Sequence, residues 1–152
     1  MKNAVSLYRI SNYFYRKKMK LISKIIDGIN FLIFNSVVPG SACIGQKSKL
    51  AYGGIGVVIH SNAIIGERVI IGQNTTIGRK LSPDGVPSVG DDVYIGAGAR
   101  ILGDIVIGKN VIVGANSVVL NDVPDNSIVA GNPAKVVRSV DGSIYDLLVN
   151  IY

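Results

Sequence analysis

Aliphatic residues recur at every sixth position along most of the chain. Val38, Ile44 and Leu50 begin the series, and the residue after each member is usually glycine. After a shift of frame, it continues at Ile59, Ile65, Ile71 and Ile77. After an interruption at residues 79–88, it resumes at Val89, Ile95, Ile101, Ile107, Val113 and Val119. A period of six fits neither an α-helix nor an alternating strand. It predicts a mainly β fold, a parallel β-helix in which each hexad forms one short strand and one turn.

The first 36 residues follow a different pattern. Their apolar positions have helical spacing and form one stripe: Leu21, Ile22, Ile25, Ile26, Ile29, Leu32 and Ile33. Pro39 and Gly40 are expected to stop the helical pattern. The chain is therefore predicted to contain an N-terminal helical segment at 1–36, a β-helix domain at 37–138 with a loop at 79–88, and a tail at 139–152.

Composition and charge narrow the possible functions. Hydrophobic residues make up 48% of the chain, enough for a core, and the net charge is +6. Seven of the 16 basic residues precede Asp27, which is the first acidic residue, so the positive excess belongs to the N-terminal segment. This distribution argues against a nucleic-acid partner bound over the whole body.

The N-terminus and the single cysteine suggest a location. The start of the chain has no short apolar stretch followed by a small-residue cleavage site, and the run at Phe31–Phe34 is too short to span a membrane. Cys43 is the only cysteine, so no disulfide framework is possible. These observations predict a cytoplasmic protein, and Cys43 is expected to lie in the core.

One long segment of the chain resembles a known family. It is Val89–Arg138, "VGDDVYIGAGARILGDIVIGKNVIVGANSVVLNDVPDNSIVAGNPAKVVR". It resembles the end of hexapeptide-repeat acyltransferases, which include serine acetyltransferases and sugar O-acetyltransferases of polysaccharide synthesis. The resemblance implies a left-handed β-helix, acetyl-CoA as co-substrate, a homotrimer, and an active site between subunits. No metal is expected.

His60 is the candidate catalytic residue. It is the only histidine and occupies a turn position that elsewhere in the repeat holds glycine. Acetyl transfer to a hydroxyl needs a base, and histidine is the side chain that titrates near neutral pH. The alternative is an exposed loop histidine without a role. Asn62, Glu67 and Asp84 are candidate partners to orient the ring.

The resemblance also suggests a binding site for the acyl donor. Small residues in "IGAGA" and "VGANS" would let a pantetheine arm lie against the coils, with backbone groups of Ala97 and Ala115 bonding its amides. Gly78 would lie near the thioester. Lys135 and Arg138 would pair with the phosphates of CoA, although both could equally be solvated surface charges. The loop at Arg79–Ser88 is expected to shape the acceptor pocket.

The acceptor is predicted from positions at which this chain differs from serine acetyltransferases. Serine acetyltransferases carry an Asp-His pair ahead of a "TG(I/V)VIG" segment, whereas Tyr52 and Gly53 stand there in this chain. The loop histidine of that family is also missing from "SPDGVPS". The form "YGGIGVVIHSNAIIG" looks more like enzymes of exopolysaccharide or O-antigen synthesis. The predicted acceptor is therefore a sugar hydroxyl, and serine O-acetylation, N-acetylation of an amino sugar and a non-catalytic scaffold are the alternatives.

The N-terminal helices allow two predictions. They would cap the first coil and pack within the trimer. Alternatively, the basic and aromatic stretch "YFYRKKMK" at Tyr13–Lys20 would contact anionic lipid headgroups at the inner face of the membrane.

Overall fold

The predicted coils are present and follow two N-terminal helices. The computed structural model describes residues 3–149. The helices are α1 (Ala4–Arg16), α2 (Lys20–Phe34) and α3 (Ile144–Leu148). The strands are β1 (Cys43–Ile44), β2 (Lys49–Leu50), β3 (Val58–Ile59), β4 (Ile64–Ile65), β5 (Ile70–Ile71), β6 (Thr76–Gly78), β7 (Ser88–Val89), β8 (Val93–Ile95), β9 (Arg100–Leu102), β10 (Val106–Ile107), β11 (Val111–Val113), β12 (Val118–Val119), β13 (Ser127–Gly131) and β14 (Ala134–Ser139).

Successive strands turn around the axis and stack into three sheets. Sheet I contains β1, β4, β7 and β10 in that order, and sheet III contains β3, β6, β9 and β12. Sheet II contains β2, β5, β8, β11, β13 and β14. All pairs are parallel except β13 with β14, which is antiparallel and closes one edge of sheet II. Three parallel sheets of short strands after N-terminal helices confirm the predicted β-helix.

The hexad series forms the core. All 13 aliphatic residues of the series are at most 5% exposed. The strand register places equivalent residues of successive coils side by side, so Ile59 lies beside Ile77 and Ile77 beside Ile101. The residues two positions earlier also point inward: Ala63, Val69, Thr75, Val93, Ala99, Ile105, Val111 and Ser117 are buried. Each coil therefore buries the apolar face of the next, as expected of a repeat fold.

Helix α1 covers the open end of the first coil through polar contacts. The Asn3 amide donates to the Leu50 carbonyl at 2.7 Å. The Tyr8 hydroxyl donates to the Ala42 carbonyl at 2.8 Å, and the Arg9 guanidinium donates to two further carbonyls of the first coil. Helix α1 thus bonds backbone groups that the absence of a preceding coil leaves without strand partners.

Helix α2 packs on α1 with its polar side. Ser23 and Asn30 are its buried residues, whereas Leu21 is 74% exposed and Leu32 is 82% exposed. The apolar stripe therefore exists, but it faces away from the body. Ser11 of α1 bonds both Ser23 and Asp27, and these contacts fix the polar side inward. Within residues 3–149, none of the helices has the length and apolar character to cross a bilayer.

The prediction that Cys43 lies in the core was wrong. Its side chain is exposed, while the neighbouring Ile44 is 5% exposed. The two residues form β1, and successive side chains of a strand point to opposite faces. Ile44 occupies the inward position of the hexad, so Cys43 must point outward.

The tail holds a short helix that closes over sheet II. Val140, Ile144 and Leu148 form a small apolar cluster with outward residues of the sheet. The Ser143 side chain accepts from the Tyr145 backbone at 3.2 Å and begins α3 with a capping box. Tyr145 donates its hydroxyl to the carbonyl of Arg68 at 2.7 Å and so joins α3 to the corner between sheets I and II.

Candidate active site

Sheet III lies between two corners of the β-helix that differ in their chemistry. The chain enters the sheet at the II–III corner, where Gly56, Asn74, Gly98 and Asn116 occupy equivalent places with φ of 68°, 57°, 72° and 56°. A Cβ on Gly98 would lie 2.1 Å from the Oδ1 atom of Asn116, so glycine at this place leaves room for the asparagine of the next coil. Glycine and asparagine thus alternate along the corner, and both tolerate a positive φ.

An open groove of about 600 Å³ runs along this II–III corner. Ala97 and Ala115 both line it, together with the turn residues named above. A Cβ on Gly96 would lie 2.6 Å from the Ala115 nitrogen, so the two coils approach closely beneath the groove. The structure thus brings together the two predicted donor-site alanines on one surface.

Arg100 also lines the groove, and it was missed from the sequence. Its Nη1 atom donates to the Gly98 carbonyl at 3.0 Å and also to the carbonyl of Asn74. These bonds hold a cation across two coils at the edge of the groove. The available signal was an arginine at an outward strand position, next to the small residues of "IGAGA".

His60 lies at the opposite edge of sheet III, where the chain leaves β3 for β4. Its backbone nitrogen donates to the Ile77 carbonyl at 2.8 Å, so His60 lies beside Gly78. The side chain is half-buried at this III–I corner. His60 is four positions after Gly56, roughly 13 Å along an extended strand. Within one subunit, the histidine and the groove therefore occupy opposite edges of the same sheet.

The His60 ring has a defined local contact. The Asn62 backbone nitrogen donates to Nδ1 at 3.2 Å. A neutral imidazole with an accepting Nδ1 carries its proton on Nε2. The other two candidate partners are engaged elsewhere, because Glu67 bonds Arg68 and Asp84 bonds Arg79. Asn62 is thus the one of the three candidates that the structure brings to the ring, through its backbone.

The loop at residues 79–88 leaves the same III–I corner as His60. Arg79 and Asp84 form an exposed ion pair at 3.3 Å across it, and Leu81 is 99% exposed. The hexad frame resumes with Ser88 paired to Ile64. The loop therefore projects outward beside His60 without disturbing the stacking of the coils.

The predicted phosphate-binding residues lie apart from each other. Both are exposed on β14, where Lys135 pairs with Ala130 and Arg138 with Ile128. Lys135 is close to the hairpin turn whose Gly131 nitrogen donates to the Ser117 hydroxyl at 3.2 Å, next to the groove. Arg138 lies at the far end of the strand pair. Lys135 therefore lies on the part of β14 nearer to the groove, and neither it nor Arg138 is among the residues that line the groove.

Tyr52 and Gly53 occupy the II–III corner of the first coil. Tyr52 is 61% exposed with φ of 51°, and Gly53 is buried with φ of 78°. Both residues have left-handed backbone conformations within the turn at Ala51–Gly54, between β2 and β3. The position at which the resembled family carries its Asp-His pair therefore holds no imidazole or carboxylate in this chain.

Comparison with known proteins identifies the relatives of this fold. Residues 87–121 match the family model described as bacterial transferase hexapeptide (six repeats). A serine acetyltransferase from Bacillus pumilus is 36% identical over 137 residues, which cover 89% of this chain and 63% of the relative.

Two solved structures extend the comparison. A Brucella abortus serine acetyltransferase in complex with coenzyme A is 30% identical, with a TM-score of 0.87, over 92% of this chain and 56% of that one. A soybean serine acetyltransferase complexed with serine is 35% identical, with a TM-score of 0.83, over 88% and 56%.

These relatives correct the predicted acceptor. The proteins matched are serine acetyltransferases, so the prediction of a sugar hydroxyl and of polysaccharide synthesis was wrong. That prediction gave too much weight to Tyr52, Gly53 and the missing loop histidine, against similarity spread over about nine-tenths of the chain. The chain spans only about half to two thirds of the length of the relatives described above. Their shared architecture shows that this chain is a left-handed β-helix protein built from hexapeptide repeats and similar over about nine-tenths of its length to serine acetyltransferases.

Proposed function

We propose that this protein transfers the acetyl group of acetyl-CoA to the hydroxyl of serine. The observation that carries the proposal is the groove at the II–III corner, on a chain whose solved relatives include one complexed with coenzyme A and one complexed with serine. An open groove with glycines and alanines of successive coils in its lining suits an extended pantetheine arm.

The donor is proposed to lie along the groove. Backbone groups of Ala97 and Ala115 would bond the amides of the pantetheine arm, and Lys135 on β14 would face a phosphate. A guanidinium has five N–H donors, and the bonds of Arg100 to backbone carbonyls all use Nη1. Arg100 is therefore a further candidate to bind an anionic group of CoA.

His60 is proposed as the general base. It would accept the proton of the serine hydroxyl while that oxygen attacks the thioester carbon. The tetrahedral intermediate would then collapse as the carbon–sulfur bond breaks, and the imidazolium would return the proton to the leaving thiolate. A base at Nε2 requires the proton on Nδ1, so the ring must first turn away from the Asn62 amide.

The separation of His60 from the groove supports a shared active site. The two lie at opposite edges of sheet III, so one subunit does not present both to the same substrate. In a homotrimer, the groove of one subunit would meet the III–I corner of its neighbour, with Gly78 near the thioester and the 79–88 loop beside the acceptor. Sedimentation that finds only monomer under assay conditions would contradict this arrangement.

The first experiment measures thiol release from acetyl-CoA with different acceptors. We expect turnover with L-serine and none above hydrolysis with nucleotide sugars or short oligosaccharides. No turnover with serine, under conditions in which the protein binds acetyl-CoA, would overturn the proposed acceptor. Failure to bind acetyl-CoA would overturn the proposed activity and favour a scaffold.

Two variants test the separate halves of the site. His60→Ala should lower kcat by roughly 10²- to 10⁴-fold, as for loss of a general base, while Ser61→Ala at the same corner should leave it unchanged. Ala115→Leu should fill the groove and raise KM for acetyl-CoA. Its matched control is Lys109→Leu, at the equivalent turn position of the I–II corner, which should not change KM.

A further inference from the structure

Helix α2 has reversed polarity with respect to the body of the protein. Its outward stripe contains six aliphatic side chains, five exposed and Ile22 half-buried: Leu21, Ile22, Ile25, Ile29, Leu32 and Ile33. Its inward side contains Ser23, Asp27 and Asn30 together with Phe34, which is partly buried against the core, and Ile26 at the edge of the stripe is half-buried. An ordinary surface helix does the opposite, because burying its apolar side lowers the free energy of the fold.

Hydrogen bonds fix this orientation. The Ser11 hydroxyl donates to the Asp27 carboxylate at 2.6 Å and lies 2.8 Å from the Ser23 hydroxyl. The Gly40 nitrogen also donates to Asp27 at 3.1 Å, and the Asn30 amide donates to the Ala4 carbonyl at 3.1 Å. Rotation of α2 to bury its aliphatic residues would break these bonds and expose or desolvate their partners. The stripe is therefore held outward by the fold.

The charges around the stripe have one sign. Arg16, Lys17, Lys18, Lys20 and Lys24 are all exposed at the α1–α2 turn and the first turns of α2. Asp27 is the only acidic residue before Glu67, and its carboxylate is bonded inward. The outer surface of the two helices thus combines an aliphatic stripe with a cluster of cations and presents no carboxylate.

We propose that α2 lies flat on an anionic lipid bilayer. A helix of 15 residues is about 22 Å long, enough to lie in the plane of the headgroups with its apolar side inserted. The cations would then reach the negatively charged headgroups, and the lysine stems would extend along the apolar surface. This surface lies on the opposite side of α2 from α1, and the residues that line the groove include none from α2.

A second copy of the chain fits the same face less well. Six side chains fall well short of the roughly 20–30 residues that each partner contributes to a stable interface. The outer surface of the two helices also offers no carboxylate to pair with the cations of another copy. A bilayer meets both conditions, because it covers a narrow stripe and supplies the negative charge.

Co-sedimentation of the full chain with lipid vesicles tests the proposal. We expect the protein to bind vesicles of phosphatidylcholine mixed with phosphatidylglycerol, to bind phosphatidylcholine alone far more weakly, and to be released by salt. The variant Leu21→Gln/Ile25→Gln/Leu32→Gln should abolish binding. Lys18→Glu/Lys20→Glu should weaken binding to the anionic vesicles by at least fivefold per residue, because removal of each lysine already costs about that much.

The matched control is Ile64→Gln/Val106→Gln, which replaces two exposed aliphatic residues on sheet I and should bind vesicles like the wild type. Wild-type protein that stays in the supernatant with anionic vesicles would overturn the proposal. The proposal would equally fail if the triple glutamine variant still bound vesicles but sedimented as a smaller assembly without lipid, because a second copy would then be the occupant. Neither result depends on acetyl transfer, so the proposed function is judged separately.

Discussion

The β-helix body and helix α2 place their aliphatic residues on opposite sides. In the body, every member of the hexad series points inward and is at most 5% exposed, whereas Leu32 of α2 is 82% exposed. Each coil of the body has another coil against it, so the repeat determines what its apolar positions contact. The sequence of a single helix does not determine what its apolar residues contact. The comparison teaches that an apolar stripe in the sequence identifies a helix but does not determine which side of that helix packs against the body.

The largest effect on the free energy of unfolding is expected from a comparison of two isoleucines. Ile101 is fully buried in sheet III, and Ile101→Ala should lower the free energy of unfolding by about 2–5 kcal/mol through lost burial and a residual cavity. Ile25 is 56% exposed on α2, so Ile25→Ala should change it by less than about 0.5 kcal/mol. Denaturant titration measures both. Equal losses would mean that α2 is covered in solution.

Two glycines should respond to alanine with opposite signs. A Cβ on Gly66 would lie 2.6 Å from the backbone of Gly90 in the next coil, so Gly66→Ala should destabilise the body by about 1–3 kcal/mol. A Cβ on Gly28 of α2 would lie within 4 Å of no atom other than its chain neighbours and the backbone of its own helix. Gly28→Ala should therefore stabilise the protein by about 0.5–1 kcal/mol, because alanine favours the helix interior. Thermal unfolding of the two variants would show whether the signs differ.

The polar contacts of α2 can be broken at Asp27. Asp27→Ala removes the acceptor of Ser11 and of the Gly40 nitrogen, and we expect a loss of about 1.5–3 kcal/mol for the hydrogen bonds to its charge. Hydrogen exchange should then show faster opening of α1 and α2 than of the strands. Uniformly faster exchange throughout the chain would contradict the idea that these contacts hold α2 alone.

The smallest effect is expected at the corner between sheets I and II. Arg68 bonds Asp92 at 2.6 Å, and this hydrogen bond lowers the pKa of the Asp92 carboxyl below its ordinary value of 3.8. Stability from the pair should be fully present above that value and lost as pH falls through the lowered pKa. Wild type and Asp92→Asn should therefore differ at neutral pH and converge in acid. A constant difference across that range would exclude the pair as its source.

The sequence supports the fold more securely than the site. The spacing of the aliphatic series was enough to predict the coils and their core, because inward positions in a repeat contact their own equivalents. Cys43 was misplaced because strand alternation around Ile44 was not applied to it. Helix α3 was not predicted, although Ser143 and Asp146 form a capping box that could have indicated it.

The site was harder to predict because it depends on corners distant in sequence. Ala97 and Ala115 were predicted from the family resemblance, whereas Arg100 lies beside them because it bonds carbonyls of two turns. The position of His60 at the opposite edge of sheet III follows from register, which spacing alone does not reveal. The roles of His60, Gly78, Ala97, Ala115, Lys135 and Arg138 remain predictions that the experiments above test.

Helix α1 has a consequence for how the protein assembles. The amide of Asn3, the hydroxyl of Tyr8 and the guanidinium of Arg9 bond backbone groups that another coil would otherwise bond. Without this helix, the first coil would be a template on which the last coil of another molecule could continue the stack. Molecules joined end to end in this way would grow into fibrils. The contacts of α1 thus occupy backbone groups that such stacking would need.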